Sequence, residues 1–146
     1  MTDEKDMTYD ELKLENQLCF PLYAAAKEVV RKYRPHLDEL QLTYTQYITM
    51  MVLWERAKIN VKALGEALFL DSGTLTPVLK SLESKGYLTR TRSADDERKL
   101  DVCLTEAGEA LKKRAVHIPK AVASCIPLEP QEAMLLHGVL HKILKK

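Results

Sequence analysis

Two stretches of alternating apolar and polar residues flank one short polar loop in a chain that otherwise shows helical spacing. Residues 87–92 and 100–105 alternate, and most of the loop between them is charged. This pattern predicts a β-hairpin. In most other segments the apolar residues recur every three or four positions, which predicts helices. The fold class is therefore predicted to be mainly α, with one small β-hairpin.

The first two predicted helices carry recognisable boundary signals. The first covers residues 10–34, and Pro21 either kinks it or starts a new helix there, because proline lacks an amide donor. The second begins at Thr43, whose spacing from Gln46 is that of a capping box, and runs through Trp54.

The later helices are delimited by cap residues and by proline. Thr105 is an expected N-cap, and Pro130 lies near the start of the last helix. Pro77 is harmless if Thr74 caps its helix, and otherwise costs one helical hydrogen bond. These helices are expected at residues 61–69, from Asp71 or Ser72 to Lys85-Gly86, at 105–124 and at 129–145.

Composition limits the class of protein. The chain has 146 residues, of which 46% are hydrophobic and 29% charged, so we expect one globular domain. No apolar run approaches the roughly 18 residues of a membrane helix, and residues 1–16 are acidic where a signal peptide would be basic. We therefore predict a soluble, cytoplasmic protein without a membrane partner.

Positive charge is concentrated in the middle of the chain. The formal net charge is only +1, which gives no overall nucleic-acid signature. Within residues 80–92, however, one acid, Glu83, is set against four cations: Lys80, Lys85, Arg90 and Arg92. The distribution of charge is therefore more informative than its total.

Two short helices followed directly by a basic hairpin are typical of a winged helix-turn-helix. In such a unit the second helix enters the major groove of DNA. Its first-turn side chains Ser72, Thr74 and Thr76 would then meet base edges and phosphates, with Lys80 one turn further on facing a phosphate.

The hairpin, or wing, supplies further candidate DNA contacts. Arg90 and Arg92 lie on its first strand, and Arg98 lies at its turn, where it could reach a narrow minor groove. Asp96 could hold the Arg98 side chain in place. Any one of these charges could instead be an ordinary solvated side chain, but the joint pattern favours DNA.

The segment LDSGTLTPVLKSLESKGYLTRTRSADDERKLDVCLTEAG resembles the DNA-binding core of the MarR family of dimeric repressors. Asp96 and Arg98 match the wing motif of that family. The segments LKLENQLCFPLYAA, LTYTQY and VLWE are similar to those of its organic-hydroperoxide-sensing, OhrR-type members. The resemblance implies one MarR-type domain, with dimerisation helices at about 10–42 and 105–146 and the winged helix-turn-helix at about 43–104. It also implies a homodimer on palindromic double-stranded operator DNA.

Three cysteines without CxxC spacing argue against a disulfide framework and against a zinc site. If a helix restarts at Pro21, Cys19 lies beside its N-terminus, whose positive end favours a thiolate. On composition alone, a buried cysteine that acts as a small hydrophobe is the more common case. The resemblance instead implies that Cys19 senses organic hydroperoxide through oxidation of its sulfur.

The resemblance also implies partners for that sulfur. Tyr33 and Tyr44 would donate phenol hydrogen bonds to it, and Cys125 of the second subunit would trap its oxidised form as a disulfide. Tyr33 follows Cys19 by 14 positions, which is about 21 Å along a continuous helix. We therefore expect the sensing site to span a dimer interface. Cys103, in the hairpin, is interpreted as a structural or bystander thiol.

Other residue patterns in the chain suggest different functions. His137 and His141 have the spacing of a helical metal pair, but favourable cations near a helix C-terminus or dimer-packing residues are the commoner interpretation. No phosphate loop or nucleophile elbow is present, so we predict no enzyme, cofactor or metal. The enzymatic rival is a thiol peroxidase using Cys19. The alternative regulator is a MarR-type repressor released by a phenolic ligand without redox chemistry.

Overall fold

The computed structural model describes residues 9–145, which form seven α-helices and one three-stranded antiparallel sheet. Two single-turn 3-10 helices, Asp10–Leu12 and Leu14–Asn16, precede the first α-helix. The α-helices are α1 (Cys19–Leu40), α2 (Tyr44–Arg56), α3 (Val61–Leu68), α4 (Ser72–Ser84), α5 (Glu106–Ala115), α6 (Ile118–Ala123) and α7 (Pro130–Leu144). The strands are β1 (Lys58–Asn60), β2 (Leu88–Arg92) and β3 (Leu100–Leu104). The predicted mainly α class is confirmed.

Helix α1 differs from its predicted bounds at both ends. It begins at Cys19, so Pro21 occupies the third helical position, where an amide would have no helical partner anyway. It continues through Pro35, where we predicted its end, and stops at Leu40 because Gln41 adopts a left-handed φ of 55°. Pro35 is exposed and removes one helical hydrogen bond without ending the helix.

Side-chain caps begin α2, α3 and α4. The predicted capping box of α2 is present: the amide of Gln46 donates to Thr43 Oγ1 at 3.2 Å, and the amide of Thr43 donates to Gln46 Oε1 at 3.1 Å. Asn60 caps α3. Asp71, not Thr74, caps α4, so Pro77 lies in the helix interior and costs the hydrogen bond that the other cap would have spared.

The predicted hairpin is confirmed as β2 and β3, and the structure adds β1, which we did not predict. The strand order is β1-β3-β2, and both pairs are antiparallel. Ile59 of β1 lies opposite Val102 of β3, and both side chains are buried. The strand β1 therefore ties the segment before α3 to the wing.

The helix predicted over 105–124 is in fact two helices. Thr105 caps α5 as expected, accepting a hydrogen bond from the amide of Gly108. The helix ends at Ala115, and α6 begins at Ile118 with Pro119 in its first turn. Proline lacks the amide that would continue the preceding helix, and it suits the first turn of a new one.

The hydrophobic core lies in the winged helix-turn-helix and the helices around it. Helix α2 contributes the fully buried Met50 and Leu53, whereas α1 contributes only Leu37 and Leu40 to the set of buried residues. Helix α7 buries no residue. The exposed apolar side chains of α1 and α7 include Phe20, Leu22, Tyr23, Val30, Met134, Leu135, Leu136, Val139, Ile143 and Leu144.

None of the helices formed by residues 9–145 combines the length and the apolar composition needed to cross a bilayer.

Gly108 marks the closest approach of α5 to the chain that enters the wing. A Cβ atom at this position would lie 2.2 Å from the carbonyl oxygen of Tyr87 and 2.7 Å from Leu104 Cδ1. The carbonyl of Gly108 also accepts a hydrogen bond from Trp54 Nε1 at 2.9 Å. A larger residue would therefore push α5 away from both the wing and α2.

We predict that Gly108→Ala lowers the free energy of unfolding by about 1–3 kcal/mol, the usual cost of overpacking a tight site. Alanine has the higher helix propensity, so propensity alone would predict the opposite sign. Urea unfolding of the variant measures the change. Ala110→Gly, at an exposed position of the same helix, reports the propensity effect separately. A Gly108→Ala midpoint equal to or above that of the native protein would refute the prediction.

Candidate functional site

The first turn of α4 presents polar side chains to solvent. Ser72 and Thr74 are exposed, and Lys80 is exposed further along the helix. Thr76 is half-buried, and its hydroxyl donates to the carbonyl of Ser72 at 2.7 Å. The amide and hydroxyl of Thr74 hold the pKa of the Asp71 carboxyl below its usual value. Of the four predicted contacts on this helix, Ser72 and Lys80 are thus free to meet a ligand. The hydroxyls of Thr74 and Thr76 are engaged within the first turns of the helix.

Arg90 forms a partly exposed ion pair with Glu83. One of its terminal guanidinium nitrogens lies 3.0 Å from Glu83 Oε1, and its amide donates to Glu83 Oε2 at 2.9 Å. The Nε atom of Arg90 is buried without a hydrogen-bond partner among the described residues. The pair joins the wing to the end of α4. Arg90 is therefore engaged by Glu83 in this structure, and its contact with DNA stays a prediction.

The wing turn is held by hydrogen bonds from side chains to the backbone and by one bond within the backbone. Arg92 donates to the carbonyl of Glu97 at 2.7 Å. Asp96 Oδ1 accepts from the amide of Arg98 at 3.0 Å, and the Asp96 carbonyl accepts from the amide of Lys99 at 2.9 Å. Asp96 therefore shapes the turn through the backbone of Arg98, and not through its guanidinium as we predicted. The side chain of Arg98 is exposed at the tip.

Cys19 is the first residue of α1, and its thiol is free and exposed. Its neighbours Leu18 and Phe20 are exposed as well. Cys19 and Tyr33 lie on the same continuous helix, 14 positions apart, so about 21 Å separates them along its axis. The two side chains cannot meet within one chain.

Tyr33 and Tyr44, which the resemblance paired, do lie together. Their ring centroids are 5.0 Å apart, although the residues belong to α1 and α2. Tyr47 joins them, with its ring centroid 5.7 Å from that of Tyr33. Our sequence reasoning missed Tyr47, although its position three residues after Tyr44 places it on the same face of α2.

Burial of the three phenols makes them harder to ionise. It raises the pKa of Tyr33. Burial, and then the nearby Tyr33, raise the pKa of Tyr44. Burial, and then the charges that Tyr33 and Tyr44 would carry, raise the pKa of Tyr47 to about 12. At neutral pH the cluster therefore offers protonated hydroxyls, which are hydrogen-bond donors.

The other two cysteines differ in their surroundings. Cys125 follows α6, is exposed, and donates weakly to the carbonyl of Ala121 with 3.5 Å between sulfur and oxygen. Cys103 is half-buried in the middle strand of the sheet, opposite Lys58 and Thr89. Cys125 is therefore accessible to another thiol, whereas Cys103 is held within the sheet.

Two further features bear on ligands. The rings of His137 and His141 lie 4.1 Å apart, but within residues 9–145 no third histidine, cysteine or carboxylate joins a group that could hold a metal. An open cavity of about 1210 Å³ lies beside the start of α4. Its lining includes Val61, Ser72, Leu75, Arg98, Lys99 and Leu100.

Comparison with known proteins agrees with this geometry. A family model described as transcriptional regulator SarA/Rot matches residues 26–115. The organic hydroperoxide resistance transcriptional regulator of Bacillus subtilis (strain 168) is 45% identical over 137 residues, or 94% of this chain and 93% of that protein. The chain belongs to the MarR-like SarA/Rot family of transcriptional regulators. The predicted family membership is thus confirmed. The relatives are transcriptional regulators and not enzymes, which agrees with the prediction of a protein without enzymatic activity.

Solved structures of the AbfR protein of Staphylococcus epidermidis share this SarA/Rot-family fold. Reduced AbfR bound to DNA is 33% identical, covers 94% of both chains and superposes with a TM-score of 0.76. Disulfide-formed AbfR is 32% identical, covers 92% of this chain and 95% of that one, and superposes with a TM-score of 0.64. The predicted winged-helix fold class is confirmed.

We predict that Glu83→Gln lowers stability in a pH-dependent manner. The Arg90 guanidinium and amide hold the pKa of Glu83 below its ordinary value of 4.5. A lowered pKa in the folded state gives a contribution that is complete above 4.5 and is lost as the pH falls through the folded-state value. The difference in unfolding free energy between native protein and variant should therefore be largest near neutral pH and shrink in acid.

Glu55→Gln is the matched control, because Glu55 is an exposed carboxylate outside the ion pairs seen in the described part of the chain. Urea unfolding across the pH range compares the two variants. A Glu83→Gln deficit that does not change with pH would contradict the assigned role of this ion pair.

Proposed function

We propose that this chain is a homodimeric repressor that binds a palindromic operator in its reduced form and leaves it when an organic hydroperoxide oxidises Cys19. Release would derepress a peroxide-detoxification gene. The observation that carries the proposal is the free, exposed thiol at the first residue of α1, in a chain 45% identical to an organic hydroperoxide resistance regulator.

Exposed polar and basic side chains support the DNA-binding part of the proposal. Ser72 and Thr74 are exposed at the start of α4. Lys80 lies further along the same helix and Arg98 at the wing tip, and neither forms an ion pair among residues 9–145. A helix in the major groove with a wing cation in the minor groove uses these positions. AbfR, whose reduced form has been solved on DNA, has the same fold.

The unburied helices support a dimer. The N-terminal part of α1 and all of α7 carry apolar side chains that the single chain leaves exposed. A second copy of the chain would cover such faces. An antiparallel α1 from that copy would also bring its Cys19 to the Tyr33–Tyr44 pair, which the same chain's Cys19 cannot reach.

The chemistry needs two thiols and one peroxide. The Cys19 thiolate attacks the terminal oxygen of the hydroperoxide, the O–O bond breaks, and the alkoxide takes a proton to leave as an alcohol. Cys19 is then a sulfenic acid. The Cys125 thiol of the partner attacks that sulfur, a disulfide forms, and the hydroxyl leaves as water. Phenol donors from Tyr33 and Tyr44 would stabilise the thiolate before the attack.

Disulfide formation would alter DNA binding through geometry. Cys19 begins α1 and Cys125 follows α6, so a bond between them across the dimer holds together two helix ends that are free in the reduced protein. The Cα atoms of a disulfide lie about 4.4–6.8 Å apart. Movement of these ends changes the spacing of the two reading helices, and operator affinity falls.

We predict that Lys80→Ala and Arg98→Ala each weaken operator binding by about tenfold, because each removes a phosphate or groove contact twice per dimer. Lys80→Ala should also reduce the slope of log affinity against log salt concentration. Fluorescence anisotropy with operator DNA at several salt concentrations measures both effects. Lys113→Ala, which removes an exposed cation from α5, is the charge-matched control. Equal losses in all three variants would contradict the assigned interface.

Peroxide treatment should give a covalent dimer on a non-reducing gel, and Cys125→Ser should lose it. Cys19→Ser should lose both the covalent dimer and the release from operator DNA by cumene hydroperoxide. Cys103→Ser is the matched control and should behave as the native protein, because its thiol is held in the sheet. Full release of the Cys19→Ser variant by hydroperoxide would end the sensor assignment. A native protein that is released without a crosslink would indicate one-cysteine chemistry.

A ligand-released repressor is the second candidate, because of the open cavity beside α4. Apolar side chains line it together with three cations, Lys62, Arg98 and Lys99, and two carboxylates, Glu66 and Asp71. A phenol would find both apolar and hydrogen-bonding groups there. Ser72 also lines the cavity, so such a ligand would compete directly with DNA. This candidate gains support if Cys19→Ser still responds to a phenolic compound and the native protein ignores hydroperoxide.

A further inference from the structure

Gln46 lies between the tyrosine cluster and the reading helix. It occupies the first turn of α2, between Tyr44 and Tyr47 in sequence, and only 7% of it is exposed. We infer that Gln46 is a positioning residue that locks α2 to α4, so that a shift of Tyr44 during oxidation is transmitted to the helix that reads DNA. This inference rests on the proposed function and names the residue that carries its signal.

The Gln46 side chain bonds in two directions. Its Nε2 donates to Ser81 Oγ on α4 at 3.0 Å. Its Oε1 accepts from Lys85 Nζ, at the C-terminal end of α4, at 3.1 Å and from the amide of Thr43 at 3.1 Å. Lys85 Nζ donates in addition to the carbonyl of Gln41, the residue that ends α1. The buried amide of Gln46 therefore connects the start of α2 to the last turns of α4, and Lys85 extends this connection to the end of α1.

Such a contact resists sliding more strongly than an apolar contact does. Apolar burial is not directional, so packed apolar side chains can exchange neighbours at small cost. A buried amide that loses its partners is left unsatisfied, and the bond from the Lys85 ammonium is strengthened by charge. Movement of α2 relative to α4 would break these bonds, whereas movement of both helices together preserves them. The two helices therefore move as one body.

The opposite side of the same turn faces the proposed sensor. Tyr44 and Tyr47 pack against Tyr33 of α1, so a change at the Tyr33–Tyr44 pair acts on the first turn of α2. That turn contains the capping box in which Gln46 participates. The sequence TYTQY thus places residues facing the sensor and a residue facing α4 within five positions.

The test measures how strongly oxidation weakens operator binding in the full-length dimer. The release ratio is the operator Kd of cumene-hydroperoxide-oxidised protein divided by that of reduced protein, with full oxidation of Cys19 checked by mass spectrometry. Gln46→Met keeps the length of the side chain but removes its hydrogen bonds. Gln46→Glu keeps the acceptor for Thr43 and for Lys85, and the Ser81 hydroxyl can turn to donate to it. Thr43→Ala removes the cap of α2 but leaves the bonds to α4 intact.

We expect the release ratio of Gln46→Met to fall by about fivefold, within the usual effect of residues that couple two sites. Gln46→Glu and Thr43→Ala should retain the native ratio. If Gln46→Met does not fold, Ser81→Ala removes the direct bond from Gln46 to α4 and should lower the ratio in its place.

An unchanged ratio in Gln46→Met would overturn the inference, as would an equal fall in Thr43→Ala, which would indicate general weakening of the helix start. The response of the native protein to hydroperoxide distinguishes failure of the proposed function from failure of the role assigned to Gln46. If hydroperoxide does not release it, the proposed function fails and the inference fails with it. If the native protein and Gln46→Met are released equally, only the inference fails.

Discussion

Burial of α2 is the packing constraint on which the other elements depend. Its fully buried Met50 and Leu53 face the core, while Tyr47 faces α1 and the indole of Trp54 bonds to α5. Each neighbouring element therefore packs against a different side of α2. Since interiors are packed as densely as organic crystals, a displacement of this helix is passed to the elements around it. The elements proposed to sense peroxide and to read DNA lie on two sides of α2.

Burial divides the chain into a part whose apolar side chains are covered within one subunit and a part whose apolar side chains are exposed. The winged helix-turn-helix supplies most of the core, with buried leucines from α3, α4 and β2, and the end of α1 together with α5 and α6 completes it. The start of α1 and the whole of α7 place no side chain in that core. Apolar faces of this extent are stable in water only when another surface covers them. This division is what a regulator needs if its reading heads are rigid units and their spacing is adjustable.

Local signals in the sequence predicted most of the fold, and tertiary effects account for what was missed. The caps at Thr43, Asp71 and Thr105 gave correct helix starts, because capping is a contact between near neighbours in sequence. Pro35 predicts the end of α1 in the sequence, but an exposed proline costs only one hydrogen bond there and the helix continues. The strand β1 has three residues, too few for an alternating pattern to be read.

For the candidate site, the sequence indicated several of the residues but not all of their contacts. Pro21 indicated a helix start near Cys19 as one of two alternatives, and the Tyr33–Tyr44 pair followed from family resemblance. The ion pair of Arg90 with Glu83 did not, because the pairing depends on how the wing folds back on α4. Asp96 was assigned to the guanidinium of Arg98, but the tight turn brings the backbone amide nearer.

The packing of Trp54 has an optical consequence. It is the one tryptophan of the chain, its ring lies edge-on to Tyr47 with 6.4 Å between centroids, and its indole N–H bonds to Gly108. Indole emission responds to hydrogen bonding and to nearby rings. The protein thus contains a single indole fluorophore at the junction of the tyrosine cluster with α5, where a change in either would alter its spectrum without any attached dye.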